Sequence, residues 1–282
     1  MVVISFSGSL LAHTLFIKPE TFFLQPNETA RIPLINGTFT QSANRVTTSM
    51  MRSVSIVGPG GGETRPDEAQ WGYGGKVSYL KADIGEPGNY VIGIETKPRK
   101  VLLDPDVFNF YLRYEGLADN EEERVALGET EIAVTERYVK YTKAILQVGE
   151  IQTENYARAF GYGVEIIPLV NPYALDVGDT FRARVLMNGE PLTGEHIYAT
   201  HEGHYPQDED GIFDEAVKTR SGDDGVIEFE LTDPGRWYVR FIHLRRSDEP
   251  EYWYSSLLVT LGIEDQRIFY ESQWATLTFE IR

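Results

Sequence analysis

DTFRARVLMNG (Asp179–Gly189) and DPGRWYVRFIH (Asp233–His243) bracket HEGHYPQDEDG (His201–Gly211). The two flanks alternate apolar and polar residues and carry Asn188-Gly189 and Pro234-Gly235 turn signals, the pattern of antiparallel strands in a β-sandwich. The centre is a long polar loop with two of the five histidines and a group of acids, the kind of segment that carries function on a rigid scaffold. The same pair of signals occurs earlier. ETARIPLING (Glu28–Gly37) matches DTFRARVLMNG with one residue inserted, and EPGNYVIGIE (Glu86–Glu95) matches DPGRWYVRFIH. The similar separations point to a duplicated sandwich.

Working outward, alternation predicts strands at Leu15 and Ile17, at Ala30, Ile32 and Leu34, over 53–57, 77–84 and 90–96, and in VEIIPLV from Val164. In the second half it aligns Phe181, Ala183, Val185 and Met187, then Ile197, Ala199 and His201. Ile227, Phe229 and Leu231 follow, then Trp237, Val239, Phe241 and His243, and finally Ala275, Leu277, Phe279 and Ile281. Between the halves the period changes. Val107, Phe108, Tyr111 and Leu112 follow Asp104-Pro105 at helical spacing, and Val134, Tyr138, Tyr141, Ile145 and Leu146 predict a second helix ending at Gly149. The expected fold class is mainly β: two immunoglobulin-like or transthyretin-like β-sandwich domains, 13–103 and 163–282, with a helical insert and linker over 104–162.

The chain has 282 residues and a net charge of −17. Such an acidic surface repels phosphate backbones and argues against nucleic acid as a partner. With no cysteine, disulfides, thiolate metal sites and cysteine nucleophiles are excluded. MVVISFSGSLLA (1–12) has the small and apolar character of a signal-peptide core and is too short to span a bilayer. It lacks a basic leader, as an upstream start codon would explain. The expectation is an exported, periplasmic or secreted protein that spans no membrane once the signal is removed.

The chemistry-bearing candidates are histidines. His201 and His243 end inward-facing strand patterns, so they are placed to meet at one rim of the second sandwich, with His204 just inside the loop. Imidazoles with a carboxylate from Glu202, Asp208, Asp210 or Asp214 suit nickel, cobalt, copper or zinc. The alternative is that His243 is a hydrogen-bonded core-edge residue and that His201 and His204 are solvated. Cleavage after Ala12 would leave His13 as the first residue, whose α-amine and imidazole chelate copper or nickel. HEGH is not the helical HExxH spacing, and Asp208–Gly211 and Asp223–Gly225 place the wrong residues at calcium-ligand positions, so both acid runs read as turns. Gly58-Pro59-Gly60-Gly61-Gly62 lacks the Lys-Ser/Thr of a phosphate loop and reads as a hairpin loop. Trp71-Gly72-Tyr73-Gly74-Gly75 reads as a loop with exposed aromatics. No GxSxG elbow or paired catalytic carboxylates appear, which predicts a non-enzymatic protein.

Longer phrases carry a family resemblance. AHTLFIKPETFFL, FYLRYEGL with ERYVKYTKAILQVG, IIPLVNPYALDVGDTFRARVLMNGEPLTG, DPGRWYVRFIH and SQWATLTFEIR follow one another in the order of a bacterial domain-of-unknown-function family called NikM-like, which the chain resembles. The resemblance implies a periplasmic component of nickel or cobalt uptake, with a cell-envelope transport partner and His13 and His243 at the family's histidine positions. HEGH, the long loop Glu202–Glu215 and the stretch SDEPEYWYSSLLVTLGIEDQRIFYESQW depart from the pattern, which makes His201 and His204 local additions. The rival expectation is a structural or adhesive module that binds glycan or another surface protein, for instance through Trp71 and Tyr73.

Overall fold

The computed structural model describes residues 13–208, 211–212, 214–247 and 268–282. Residues 1–12, where a signal segment was expected, Glu209, Asp210 and most of the long stretch before the last strand lie outside them.

Strands of the first half build one sandwich. A four-stranded sheet contains β1 (Leu15–Ile17), β3 (Thr29–Asn36), β6 (Trp71–Gly74) and β7 (Val77–Asp83), in the order β1-β3-β7-β6. Facing it are β4 (Met51–Val57), β5 (Glu63–Thr64), β8 (Gly88–Thr96) and β10 (Val134–Val148). The short β2 (Phe23–Leu24) and β9 (Arg99–Leu103) both pair with β10. Leu15, Ile17, Ala30, Ile32, Leu34, Leu80 and Ala82 pack against Ile92, Ile94, Ala144, Leu146 and Val148 as one core. Burying a large side chain of this kind is worth about 1.5–3 kcal/mol, so this core is what holds the two sheets together.

The second half repeats the plan. Its outer sheet has β11 (Val164–Pro168), β12 (Thr180–Met187), β13 (Glu190–Pro191) and β16 (Val226–Glu230). Its inner strands are β14 (His196–His201), β15 (Val217–Arg220), β17 (Gly235–Arg246) and β18 (Tyr270–Ile281). The inner strands of both halves form one ten-stranded sheet with the path β15-β14-β17-β18-β10-β8-β4-β5. Read from either end, that path visits equivalent strands. The matched sequences obey it: Glu28–Gly37 and Asp179–Gly189 lie on β3 and β12 of the outer sheets, and Glu86–Glu95 and Asp233–His243 on β8 and β17 of the shared one. The Asn-Gly signal forms its turn with φ of 52° at Asn188 and 86° at Gly189, the left-handed pair a tight hairpin requires.

Contacts between β18 and β10 climb both strands together, from Ser272–Glu136 to Thr276–Thr142 to Thr278–Lys143, so the central pair is parallel. Alternate residues of each strand serve opposite faces. Thr276 and Thr278 donate to the carbonyl oxygens of Leu15 and Ile17 in β1, whereas Phe279 stacks on Phe181 of β12 at 4.8 Å. On β10, Ala144, Leu146 and Val148 face the first outer sheet, and Lys143 reaches Glu165 of β11 at 3.0 Å. The two outer sheets therefore cover opposite faces of the shared sheet.

This double coverage corrects one expectation. Val134–Val148 is a strand of fifteen residues, not a helix. Every residue from Lys140 to Val148 is buried, so the period-2 signal that reveals a one-sided strand is absent. Its β-branched and aromatic residues match a helical spacing by coincidence. Trp71–Gly74, expected as loop, is the edge strand β6 against β7.

The chain forms two compact units. The unit made of 13–97, 140–241 and 274–282 holds both outer sheets and most of the shared sheet, while β9 and the ends of β10, β17 and β18 belong to the other. The described residues of the other lie within 98–139 and 242–273. It holds α1 (Pro105–Tyr114), where the Asp104-Pro105 start was expected, and α2 (Ala118–Ala126). Phe108 and Leu112 of α1 are buried, and Phe108 packs on Tyr270 at 4.9 Å. Arg124 is buried there, bonded to Asn109 Oδ1 at 2.7 Å and the Ile132 carbonyl at 2.6 Å.

Lys143 and Glu165 are 2% and 3% exposed, and burial lowers the pKa of Lys143 against the opposing pull of Glu165. Glu165 also accepts from the backbone of Phe160 and Gly161. Lys143→Ala strands that carboxylate and should cost about 3–5 kcal/mol. The double variant Lys143→Met/Glu165→Gln should recover part of the loss, because the amide oxygen still accepts from that backbone without a buried charge. Urea unfolding of the three proteins checks both expectations.

Candidate functional site

The rim of the second sandwich is built by the ends of β14 and β17, whose register pairs His201 with Trp237. Trp237 is fully buried and its indole N–H donates to the Asp233 carbonyl at 2.9 Å, which closes the Asp233-Pro234-Gly235 turn over the strand end. The His201 ring lies on that indole at 5.0 Å, with the His204 ring 5.5 Å away on its loop. Nε2 of His201 is 3.2 Å from the Asp233 carboxylate, and Nδ1 faces the Glu202 carbonyl at 3.3 Å. Both ring nitrogens thus meet oxygen acceptors. A metal at either nitrogen would have to displace one of these contacts.

Glu202 is the hub beside it. One carboxylate oxygen takes the Lys18 ammonium at 2.6 Å, the other the Arg236 guanidinium at 3.3 Å. Lys18 also donates to the Phe39 carbonyl at 3.0 Å and lies 4.5 Å from that ring. Arg236 reaches back to the Glu20 carbonyl at 2.6 Å. The web joins the segment after β1 in the first sandwich to the loop of the second. Nearby, Phe16, Ile35 and Phe39 enclose Tyr238, with ring centroids about 5 Å apart. The other candidate carboxylates are local. Asp208 accepts from the Ile212 N–H at 2.8 Å and closes the expected turn with Gly211. Asp214 pairs with Lys218 at 2.6 Å, which with His204 nearby holds its carboxyl below the usual range. Asp223–Gly225 is likewise a turn, with Asp224 Oδ1 accepting from Val226 N–H at 3.1 Å.

His13 lies elsewhere in the same unit. The Lys140 ammonium donates to its carbonyl oxygen and to Asn36 Oδ1 at 3.0 Å. Its Nε2 is buried with no hydrogen-bond partner among the described residues. Burial first, then the Lys140 and Lys76 charges, holds the imidazole pKa below the ordinary histidine value. Two neighbouring ammonium groups also oppose a metal cation. His243 belongs to the unit that carries the helices. Of the four sequence candidates, then, the structure brings together His201 and His204. Among the described residues no three His, Asp or Glu side chains are grouped so as to hold a metal ion. The aromatic pair divides: Trp71 packs against the first core, while Tyr73 is 46% exposed with the Arg45 guanidinium 5.6 Å from its ring.

Sequence reasoning passed over the residue that fixes the loop. Arg240, on the opposite face of β17 from Trp237 and Val239, grips Glu215 through Nε at 2.8 Å and Nη2 at 2.5 Å, both groups almost fully buried. A charged residue flanked by the buried Val239 and Phe241 was the available signal, because a buried charge needs a partner. Glu215 is thereby the point at which the loop that leaves β14 is tied back to the sheet.

The His13 shift sets a pH dependence. A histidine whose folded pKa is depressed contributes stability that is complete above the unfolded value near 6.5 and is lost as pH falls through it. His13→Gln should therefore be less sensitive than the native chain between pH 7 and about 5, as paired thermal or urea unfolding curves will show.

No curated protein matches the chain. Solved structures match with low similarity. The D0-D1 domain of intimin is 9% identical, with 94% of this chain and 97% of that one covered and a TM-score of 0.21. FdeC, an Escherichia coli adhesin, is 12% identical over 82% and 60%, with a TM-score of 0.23. Trypsin-activated alpha-2-macroglobulin from Escherichia coli is 10% identical over 84% of this chain but 15% of its own length, with a TM-score of 0.23. The family model for a domain of unknown function, DUF4198, spans residues 10–245. A match over most of the chain places the protein in that family.

Proposed function

We propose that this protein is an exported, non-catalytic binding or structural module whose two fused sandwiches present ordered loops to a partner at the cell envelope. The observation that supports this reading is the bonding of the rim. Glu202 bridges Lys18 and Arg236, and His201 is pinned between Asp233 and the Glu202 carbonyl. These side chains act as struts that fix loops. The net charge of −17 favours a cationic surface as partner. The signal-like character of 1–12 supports export.

A second reading, capture of a transition metal in support of nickel or cobalt uptake, follows from the NikM-like resemblance. One observation favours it: the His201 and His204 rings are neighbours at 5.5 Å. On that reading His201 would have to give up its contact with Asp233.

Calorimetry separates the two. Nickel, cobalt, copper and zinc should bind the secreted protein no more tightly than about millimolar, equivalent to roughly 4 kcal/mol. Micromolar binding that disappears in His201→Ala or His204→Ala would overturn the module reading in favour of metal capture.

A further inference from the structure

The outer sheets of the two sandwiches share three equivalent strands and differ along one edge. In the first, β7 is flanked on its outer side by β6, with Trp71 paired to Leu80 and Gly74 to Val77. The counterpart of β7 is β16. Thr29 pairs with Asp83 in one half as Thr180 pairs with Glu230 in the other. Among the described strands, β16 is paired to β12 alone. Its ladder to β12 uses odd-numbered positions, since Leu231 N–H donates to Asp179 O and Val185 N–H to Gly225 O. The N–H and C=O groups of Val226, Glu228 and Glu230 therefore point away from the sheet. Val226 is closed off by its own turn, through Gly222 N–H and Asp224 Oδ1. Among the described residues no hydrogen bond is made by the outward backbone groups of Glu228 and Glu230.

We infer that the outer edge of β16 accepts an extended segment of a basic partner protein as an added antiparallel strand, in the place that β6 fills in the first sandwich. The chemistry of the edge specifies the segment. Glu228 and Glu230 stand on the exposed face, where an incoming strand would place lysine or arginine beside them. Arg182 of β12 already approaches Glu228 from the other side at 2.6 Å, which shows that this face takes cross-strand ion pairs. Ile227 and Phe229 face the core, so the alternate residues of the incoming strand are apolar. A second copy of this chain is disfavoured, because its β16 would bring the same carboxylates against these and its net charge is also −17. The inference rests on the binding-module reading and names its partner, yet its test is separate: metal affinity says nothing about β16, and an edge that fails leaves the rim struts untouched.

The probe is a synthetic alternating lysine–valine hexapeptide, titrated into the full chain at low salt and followed by calorimetry. Binding should be sub-millimolar. It should weaken at least tenfold with Glu230→Pro, which removes an outward N–H and no bond to β12. It should also weaken in Glu228→Gln/Glu230→Gln. A peptide N-methylated at alternate residues, with the same charge, should not bind. That peptide keeps the test decisive even where the proline variant fails to fold. No binding, or equal binding of the methylated peptide, would overturn the inference, the latter by showing simple adherence to an acidic surface.

Discussion

β10 and β18 run side by side and parallel at the middle of the shared sheet, and each is packed on both faces. The arrangement of the two outer sheets follows from that pair. Two sandwiches that merely followed one another on a chain would each close their own inner sheet. Here the last strand of each repeat becomes the inner neighbour of the other. A parallel pair related by an axis along the strands turns the sheet over, so the outer sheets must lie on opposite faces. Thr276 and Thr278 reach β1 on one side while Phe279 reaches Phe181 on the other.

The same constraint explains where charge is buried. A strand covered on both faces has no solvent side for its polar residues, so each must find a partner inside. Lys143 meets Glu165, Arg240 meets Glu215, and Thr142 meets Thr276. These contacts tie β11 and the loop after β14 to the central sheet. At the rim, where solvent returns, the pairs of Glu202 are more exposed and individually worth less, about 1 kcal/mol or below. They act as a set, fixing the geometry of a surface that a partner would meet.

Much of the architecture was legible in the residues. One-sided strands such as Thr180–Met187 declare themselves because Phe181, Ala183 and Val185 alternate with polar neighbours. Paired turn signals marked the two halves, and the strand order of the shared sheet reads alike from either end. Val134–Val148 was not legible, because two-sided burial erases the alternation that distinguishes strand from helix. The site was legible only in part. His201 is the last residue of β14, where the alternation put it, yet parity along one strand does not say which residues become neighbours across strands. The register sets Trp237, at the beginning of β17, opposite His201. His243 comes later on the same strand and belongs with the helical unit, while Asp233 and Glu202 became the partners of His201.

Native-state hydrogen exchange tests the central claim most directly. If the parallel pair unites both sandwiches, the amides of β10 and β18 from about 140–146 and 274–280 exchange slowest, and both outer sheets lose protection in one common opening with them. Two separate openings, with β10 and β18 exchanging early and each sandwich protected independently, would contradict the account.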